Sequence, residues 1–596
     1  NNKDKIMQKI PLLRYLLLAV LLTMITQAHA AIKSINDFTE KMTHFSGYFS
    51  FYYDTENGKL YLEVDKLEQQ FLLQQSLPYG VGSNDIGLDR GQLGDTHLVQ
   101  FERFGDKVML RAINTYYRAN TNNLAEQQSI KEAFASSILA GFSVVAQSET
   151  AVLVDYTPYL LSDVHGVSRR LSATGQGSFN LDSNRSAVYL ARSKAFEKNT
   201  ELEAVLTFQG NKPGKYVRQV SADPYALTVH MHHSLIELPD DNYTPRKFHP
   251  QAGFWSIEHK DYAAALGESM YVRYIPRHRL AKKDPSLPIS EPVEPIVYYL
   301  DPGVPEPVKS ALLDGAKWWN DAFNAAGYKN AFIVKVLPDD ADPMDVRYNV
   351  IQWVHRATRG WSYGSSVIDP RTGEIIKGHV TLGSLRVRQD ILIAEALAAP
   401  YFEGNEVAKR LQAMALDRIR QLSAHEVGHT LGISHNFAAS VADRASVMDY
   451  PHPLLSFNEQ GKLDVSRGYA SGMGVWDTQV VKYGYSDFTN QDEAQQLAAI
   501  LAENKNKGLE FISDSDARAQ GGAHPTGHLW DNGRSPSDEL MRVLDVRKQA
   551  LTNFGIENIK TGTALSQLEE MLVPLYLFHR YQVEAAVKLI AGVNYE

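Results

Sequence analysis

Within eleven residues, His425-Glu426-Val427-Gly428-His429-Thr430-Leu431-Gly432-Ile433-Ser434-His435 places three imidazoles and one carboxylate. Imidazole nitrogen is a preferred donor to Zn²⁺, and histidines four residues apart lie on one face of a helix, where both can reach one ion. Glu426 sits one position round from His425, beside such an ion rather than on it, where its carboxylate can exchange protons with water. Gly432 can adopt the left-handed conformation that ends a helix, letting the chain double back and return His435 to the same metal. Three neutral imidazoles leave a fourth position open, the arrangement of a catalytic rather than a structural site. An amphipathic helix with ordinary core histidines is the plain alternative, and five matched positions weigh against it.

The elements that must position these residues can be read outward. Leu411, Ala415, Ile419 and Leu422 recur at spacings of three and four, which predicts a helix over 406–431 with His425 and His429 on its inner face. Upstream, strand and helix alternate: strands over 296–300, 332–337 and 349–354, a helix over 305–327 opened by proline and closed by glycine, and a hairpin over 366–382. Before that, alternating apolar runs predict a β-rich region over 31–285, as one unit or as two subdomains. A proline-rich linker covers 286–295. After 475 the chain reads as helical, with helices over 492–504, 536–554 and 564–591. The fold class expected is therefore α+β and multidomain: a β-rich N-terminal region, an α/β domain over 296–475 and a mainly helical region over 476–596.

Composition bounds the setting. The 596 residues exceed what one core normally serves, and the formal net charge of −9 offers no basic footprint for nucleic acid. Lys9 and Arg14 precede the apolar run Tyr15–Ile25, and Ala28-His29-Ala30 supplies an A-x-A cleavage site. Residues 1–30 thus read as a signal peptide, with periplasmic or secreted destinations. No later stretch is apolar enough to span a membrane, so the mature chain is expected to carry no transmembrane segment. Absence of cysteine excludes disulfides and thiolate ligation, leaving histidine and carboxylates for metal.

The motif followed by Ser446-Val447-Met448-Asp449-Tyr450-Pro451 resembles the metzincin pattern, three histidines and then a methionine turn. That resemblance implies a metzincin-like catalytic domain over 296–475, with Met448 beneath the metal base and Tyr450 able to swing to the transition-state oxyanion. It also implies that Gly378, His379, Val380 and Thr381 belong to the edge strand that pairs with an extended peptide substrate. More widely, Gly82–Gly91, Val346–Trp353 and the stretch from Gly522 to Asp531 resemble a bacterial family of large exported zinc-dependent metalloproteases with uncharacterised β-rich N-terminal domains. Members run longer at the C-terminus, so the natural protein is expected to extend past Glu596.

The leading expectation is an exported zinc endopeptidase with one catalytic Zn²⁺ on His425, His429 and His435, Glu426 as general base and a peptide or protein as substrate. Two alternatives stand beside it: a periplasmic or surface binding protein that uses the β-rich half, and a zinc hydrolase of a non-peptide amide or ester. Calcium is possible in this clan, but no calcium-binding spacing occurs. His230 and His232 share one strand face, read first as solvated and alternatively as a second metal site. His524 and His528 read as loop histidines that could line a pocket. Oligomeric state, cleavage specificity and the role of the N-terminal domains are not legible.

Overall fold

The computed structural model describes residues 32–595 apart from 359, 399–404, 460–462 and 519–520, so the signal-peptide expectation lies outside the described residues. The architecture is α+β and multidomain, β-rich in its N-terminal part and helical toward the C-terminus.

Most strands of the β-rich region belong to one sheet, with a smaller three-stranded sheet of Tyr117–Arg118, Ile257–Asp261 and Tyr271–Tyr274 beside it. Ala226–Ile236 pairs antiparallel with Gln70–Tyr79, which joins both halves into one fourteen-stranded sheet. The physical reason lies in strand Asn199–Asn211, where Leu202, Ala204, Leu206 and Phe208 are all fully buried. Such an apolar face must be covered, and Phe71, Leu73 and Phe101 of the first meander share its core.

On this sheet Glu203 lies opposite His232. His232 Nδ1 contacts Glu203 Oε2 at 3.0 Å, its Nε2 meets Glu201, and His230 Nδ1 contacts Glu203 Oε1 at 2.6 Å. Burial opposes a charge on His232, but the flanking carboxylates outweigh it and push its pKa up to about 9. His232 joins Glu201 and Glu203 in a buried ion network and His230 bonds to the same Glu203, neither the solvated face nor the metal site that sequence alone suggested.

The second sheet has five strands: β1 (Ile296–Leu300), β2 (Phe332–Val336), β3 (Asn349–Val354), β4 (Tyr363–Ile368) and β5 (Ile375–Gly383). Their order is β2-β1-β3-β5-β4, parallel except for β4, which runs antiparallel to β5. The helix expected over 305–327 is two, α1 (Val308–Lys317) and α2 (Trp319–Ala325). Helix α3 (Leu385–Ala398) follows β5 and was not expected. It hides from periodicity because it buries polar groups: Asp390 is 3% exposed and pairs with Arg386 at 3.2 Å.

Helix α4 (Asn405–Thr430) carries the motif. Leu411, Ala415, Ile419 and Leu422 are buried as their spacing requires. Helix α1 packs on it at Gly315, where a Cβ would stand 1.9 Å from Arg420 O, and Trp319 Nε1 donates to Ala424 O at 2.7 Å.

The core around α4 crosses the divisions drawn at 285 and 475. It includes Phe254 and Ile275 from the N-terminal side, and Trp476, Val480 and Tyr485 from α5 (Val475–Tyr485) on the other. The proline-rich strap is tied down as well, with Ser290 N–H donating to Gly327 O at 3.1 Å. No helix among the described residues is long and apolar enough to cross a membrane.

Candidate active site

Two ligands come from a helix and the third from its exit. His425 and His429 lie one turn apart on α4. The helix then ends at Gly432, whose φ is +91°. Ile433 N–H bonds back to Gly428 O at 3.2 Å, and a Cβ at 432 would meet Pro276 O at 1.9 Å, so only glycine fits this turn. The last helical carbonyls are satisfied by neighbours: Tyr298 Oη donates to Thr430 O at 3.3 Å and Tyr485 Oη to Leu431 O at 2.8 Å.

His435 thereby comes back to the helix. Ligand atoms of His425, His429 and His435 all lie within 4.8 Å of one another, and His429 Nε2 stands 3.2 Å from His435 Nε2. A tetrahedral zinc with bonds of ~2.1 Å holds its donor nitrogens roughly 3.4 Å apart, so this set fits the ion. The far ring nitrogens agree. His425 Nδ1 donates to Val447 O at 2.7 Å, His429 Nδ1 to Ile433 O at 2.8 Å, and His435 Nδ1 to Asp514 Oδ2 at 2.7 Å. Each acceptor fixes the tautomer that turns a bare Nε2 toward the centre. Burial holds His429 down at about 3, and His425 well below the imidazole range, so both rings are neutral donors. The triad is the one group of three or more histidines and carboxylates positioned to share a metal ion among the described residues.

Met448 is fully buried against α4 between the first two ligands in sequence, where a Cβ on Gly428 would reach its sulfur at 2.3 Å. Asp477, at the start of α5, holds the turn. It accepts from Ser446 Oγ at 2.6 Å, Val447 N at 2.9 Å and Gly474 N at 2.7 Å, which aims Val447 O at His425.

Glu426 is buried, and burial pushes its carboxyl up to about 8, against the pull of Arg418, Arg386, a Gly364 N–H hydrogen bond and Arg356. Tyr450 lies with its ring centroid 5.4 Å from His425 and 4.8 Å from His435. Burial pushes its hydroxyl up to about 12, so it is a proton donor at neutral pH.

The substrate-strand assignment requires correction. Gly378, His379, Val380 and Thr381 lie on β5, which is paired on both sides, with β3 and β4. Of the sheet's two edge strands, β2 and β4, the one against α4 is β4. It presses on α4 at Gly364, where a Cβ would meet Glu426 O at 2.3 Å and His429 Cβ at 2.9 Å. His379 faces away from the metal, toward the N-terminal sheet: a Cβ at Gly91 would come within 3.2 Å of its Nε2. Burial lowers its pKa to about 3. An antiparallel final hairpin reverses strand order, so the strand nearest the helix in sequence is interior in space.

Sequence reasoning missed Asp514 and Asp477, since neither belongs to a motif. Asp514 is 79 residues beyond its partner. It also pairs with Arg518 at 3.1 Å, and that guanidinium stands 4.9 Å over the Tyr450 ring, linking a ligand to the tyrosine. We expect Asp514→Asn to weaken zinc affinity by about 10–100-fold in chelator competition. Unchanged affinity would remove the residue from the site.

Residues 408–596 match a family model described as Met-zincin. This part of the chain is similar to the Met-zincin family. Residues 91–283 match one described as Domain of unknown function (DUF5117). No curated protein and no solved structure matches the chain. The Met-zincin match runs from the first turn of α4 through the C-terminal helices, taking in the triad, Met448, Tyr450, Asp477 and Asp514 together. A Met-zincin domain with this histidine cluster implies a zinc metallopeptidase-type function.

Proposed function

We propose that the protein is an exported zinc endopeptidase. One observation carries this reading: three imidazole nitrogens converge within reach of one ion, on the exit of the helix that carries Glu426 and against which the edge strand β4 packs at Gly364. Zinc in such a setting supplies Lewis acidity, which polarises a carbonyl and makes water a nucleophile near neutral pH.

The chain's own groups do the rest. An extended peptide adds to β4 through backbone hydrogen bonds, which bring its scissile amide over Glu426 and the triad. With a dication beside it the Glu426 carboxyl would ionise despite its burial, so that it accepts a proton from the attacking water and passes it to the leaving amine. The Tyr450 hydroxyl donates to the oxygen on which negative charge develops. Buried walls exclude bulk water and strengthen each of these interactions. An edge strand favours an extended peptide over a compact ester or a small amide. The leader-like residues 1–30 support export.

The test is cleavage of a peptide library by the purified mature chain, before chelation, after it, and after zinc is restored. Cleavage that disappears with the metal and returns with it is expected. A zinc-loaded chain that cleaves no peptide would overturn the proposal and leave the β-rich half as the functional part.

A further inference from the structure

The N-terminal half reaches into the site. Gly253–Trp255 runs antiparallel to Gly432–Ser434, the turn between the second and third ligands: Phe254 bridges Ile433, Trp255 N–H donates to Gly432 O at 3.1 Å, and Ser434 N–H to Gly253 O at 2.9 Å. Extended chain sends successive side chains to opposite sides. Phe254 turns inward and is 3% exposed. Trp255 turns outward, where its indole stacks on His429 with centroids 5.4 Å apart and planes at 23° while 44% of the residue stays exposed. A large ring held rigidly against a metal ligand, with its other side open, is poised to contact a substrate.

What the ring opens onto is a cavity of about 840 Å³. Ligand pockets occupy roughly 300–1,000 Å³. Phe248, Phe254 and Trp255 form one wall, and Leu501, Leu509 and Phe511 face them from the C-terminal region. Two lining residues belong to the metal site or adjoin it: Asp514 bonds His435, and Ser434 precedes it. The cavity therefore continues the cleft. Its charged lining is unbalanced, with Glu510, Asp514 and Asp516 against Lys505.

From this the geometry points to a specificity subsite. Trp255 is a specificity-determining residue, and the cavity takes an apolar side chain of the substrate on one side of the scissile bond, favouring a neighbouring Lys or Arg over Asp or Glu. A region matching a domain of unknown function thus supplies part of the substrate cleft. This inference rests on the endopeptidase reading above.

The experiment uses the full chain carrying Glu426→Gln, so that peptides bind without turnover. Fluorescently labelled peptides of the sequence class cut by the wild type are titrated by anisotropy, with zinc content measured on each sample. Four forms are compared: Trp255 intact, Trp255→Phe, Trp255→Ala and Asp516→Asn. Trp255→Ala is expected to weaken binding by roughly tenfold or more and to flatten the preference for apolar side chains at normal zinc content. Trp255→Phe should keep most of both. Asp516→Asn should narrow the preference for Lys over Asp alone. If Trp255→Ala lowers zinc content or stability but leaves peptide selectivity intact, the indole only props His429 and the subsite is refuted. Wild-type chain that neither binds nor cuts peptides would instead bring down the endopeptidase reading, and this inference with it.

Discussion

Replacing Glu426 by glutamine should cut peptide hydrolysis by about 10²–10⁴-fold while zinc stays at the wild-type level. The amide has nearly the carboxylate's shape, so α4 keeps its packing, but it cannot take a proton. Zinc is retained because Glu426 is not among the three converging donors, each of which is oriented from behind by Val447 O, Ile433 O or Asp514. The measurement is kcat/KM on a cleaved peptide alongside metal content of the same preparation. Wild-type turnover by the variant would remove Glu426 from the chemistry.

The second large effect concerns how the N-terminal sheet grips the catalytic half. Residues 80–91 do not hang as a loop but lie along the chain that leads into β4. Arg90 Nη1 donates to Trp353 O at 2.8 Å, Asn84 Nδ2 to Thr358 O at 2.7 Å, and Ala357 N to Gly82 O at 2.8 Å. At the centre, Asp89 Oδ1 pairs with Arg356 Nε at 3.2 Å, with side chains 6% and 2% exposed. Arg356 also donates to Trp361 O at 2.9 Å, two residues before β4 begins. Asp89→Ala should cost about 3–5 kcal/mol, because it strands a buried guanidinium. A lower urea midpoint for the catalytic half checks this. Adding Arg356→Met should recover much of the loss, since a buried pair replaced by apolar groups is far less costly than a broken one. If Asp89→Ala leaves the midpoint unchanged, the pair does not hold the two halves together.

Much of the catalytic half is legible without coordinates. Strand Asn349–Val354 has the bounds its apolar run implies, and the helix expected over 406–431 spans Asn405–Thr430. Local signals suffice there: periodicity fixes the face of a helix, and a glycine marks its end. Helix α3 escaped because Arg386 and Asp390 are used inward. The face that carries His232 is buried because two carboxylates of the neighbouring strand meet its ring. The surroundings that decide, Arg418 beside Asp390 and the two carboxylates beside His232, lie well away in sequence, and patterns over a short window cannot register them.

The chemical repertoire is local, and eleven consecutive residues encode it: donor types, their spacing on a helix, and the residue that lets the chain turn back. Folding in three dimensions decided what surrounds that kit. Strand order made β4 rather than β5 the edge strand against α4. Long-range contacts brought Asp514 and Asp477 behind the ligands and Trp255 in front of them. The division follows from range, since helix geometry acts over a few residues, whereas burial and pairing act between any surfaces that the chain brings into contact.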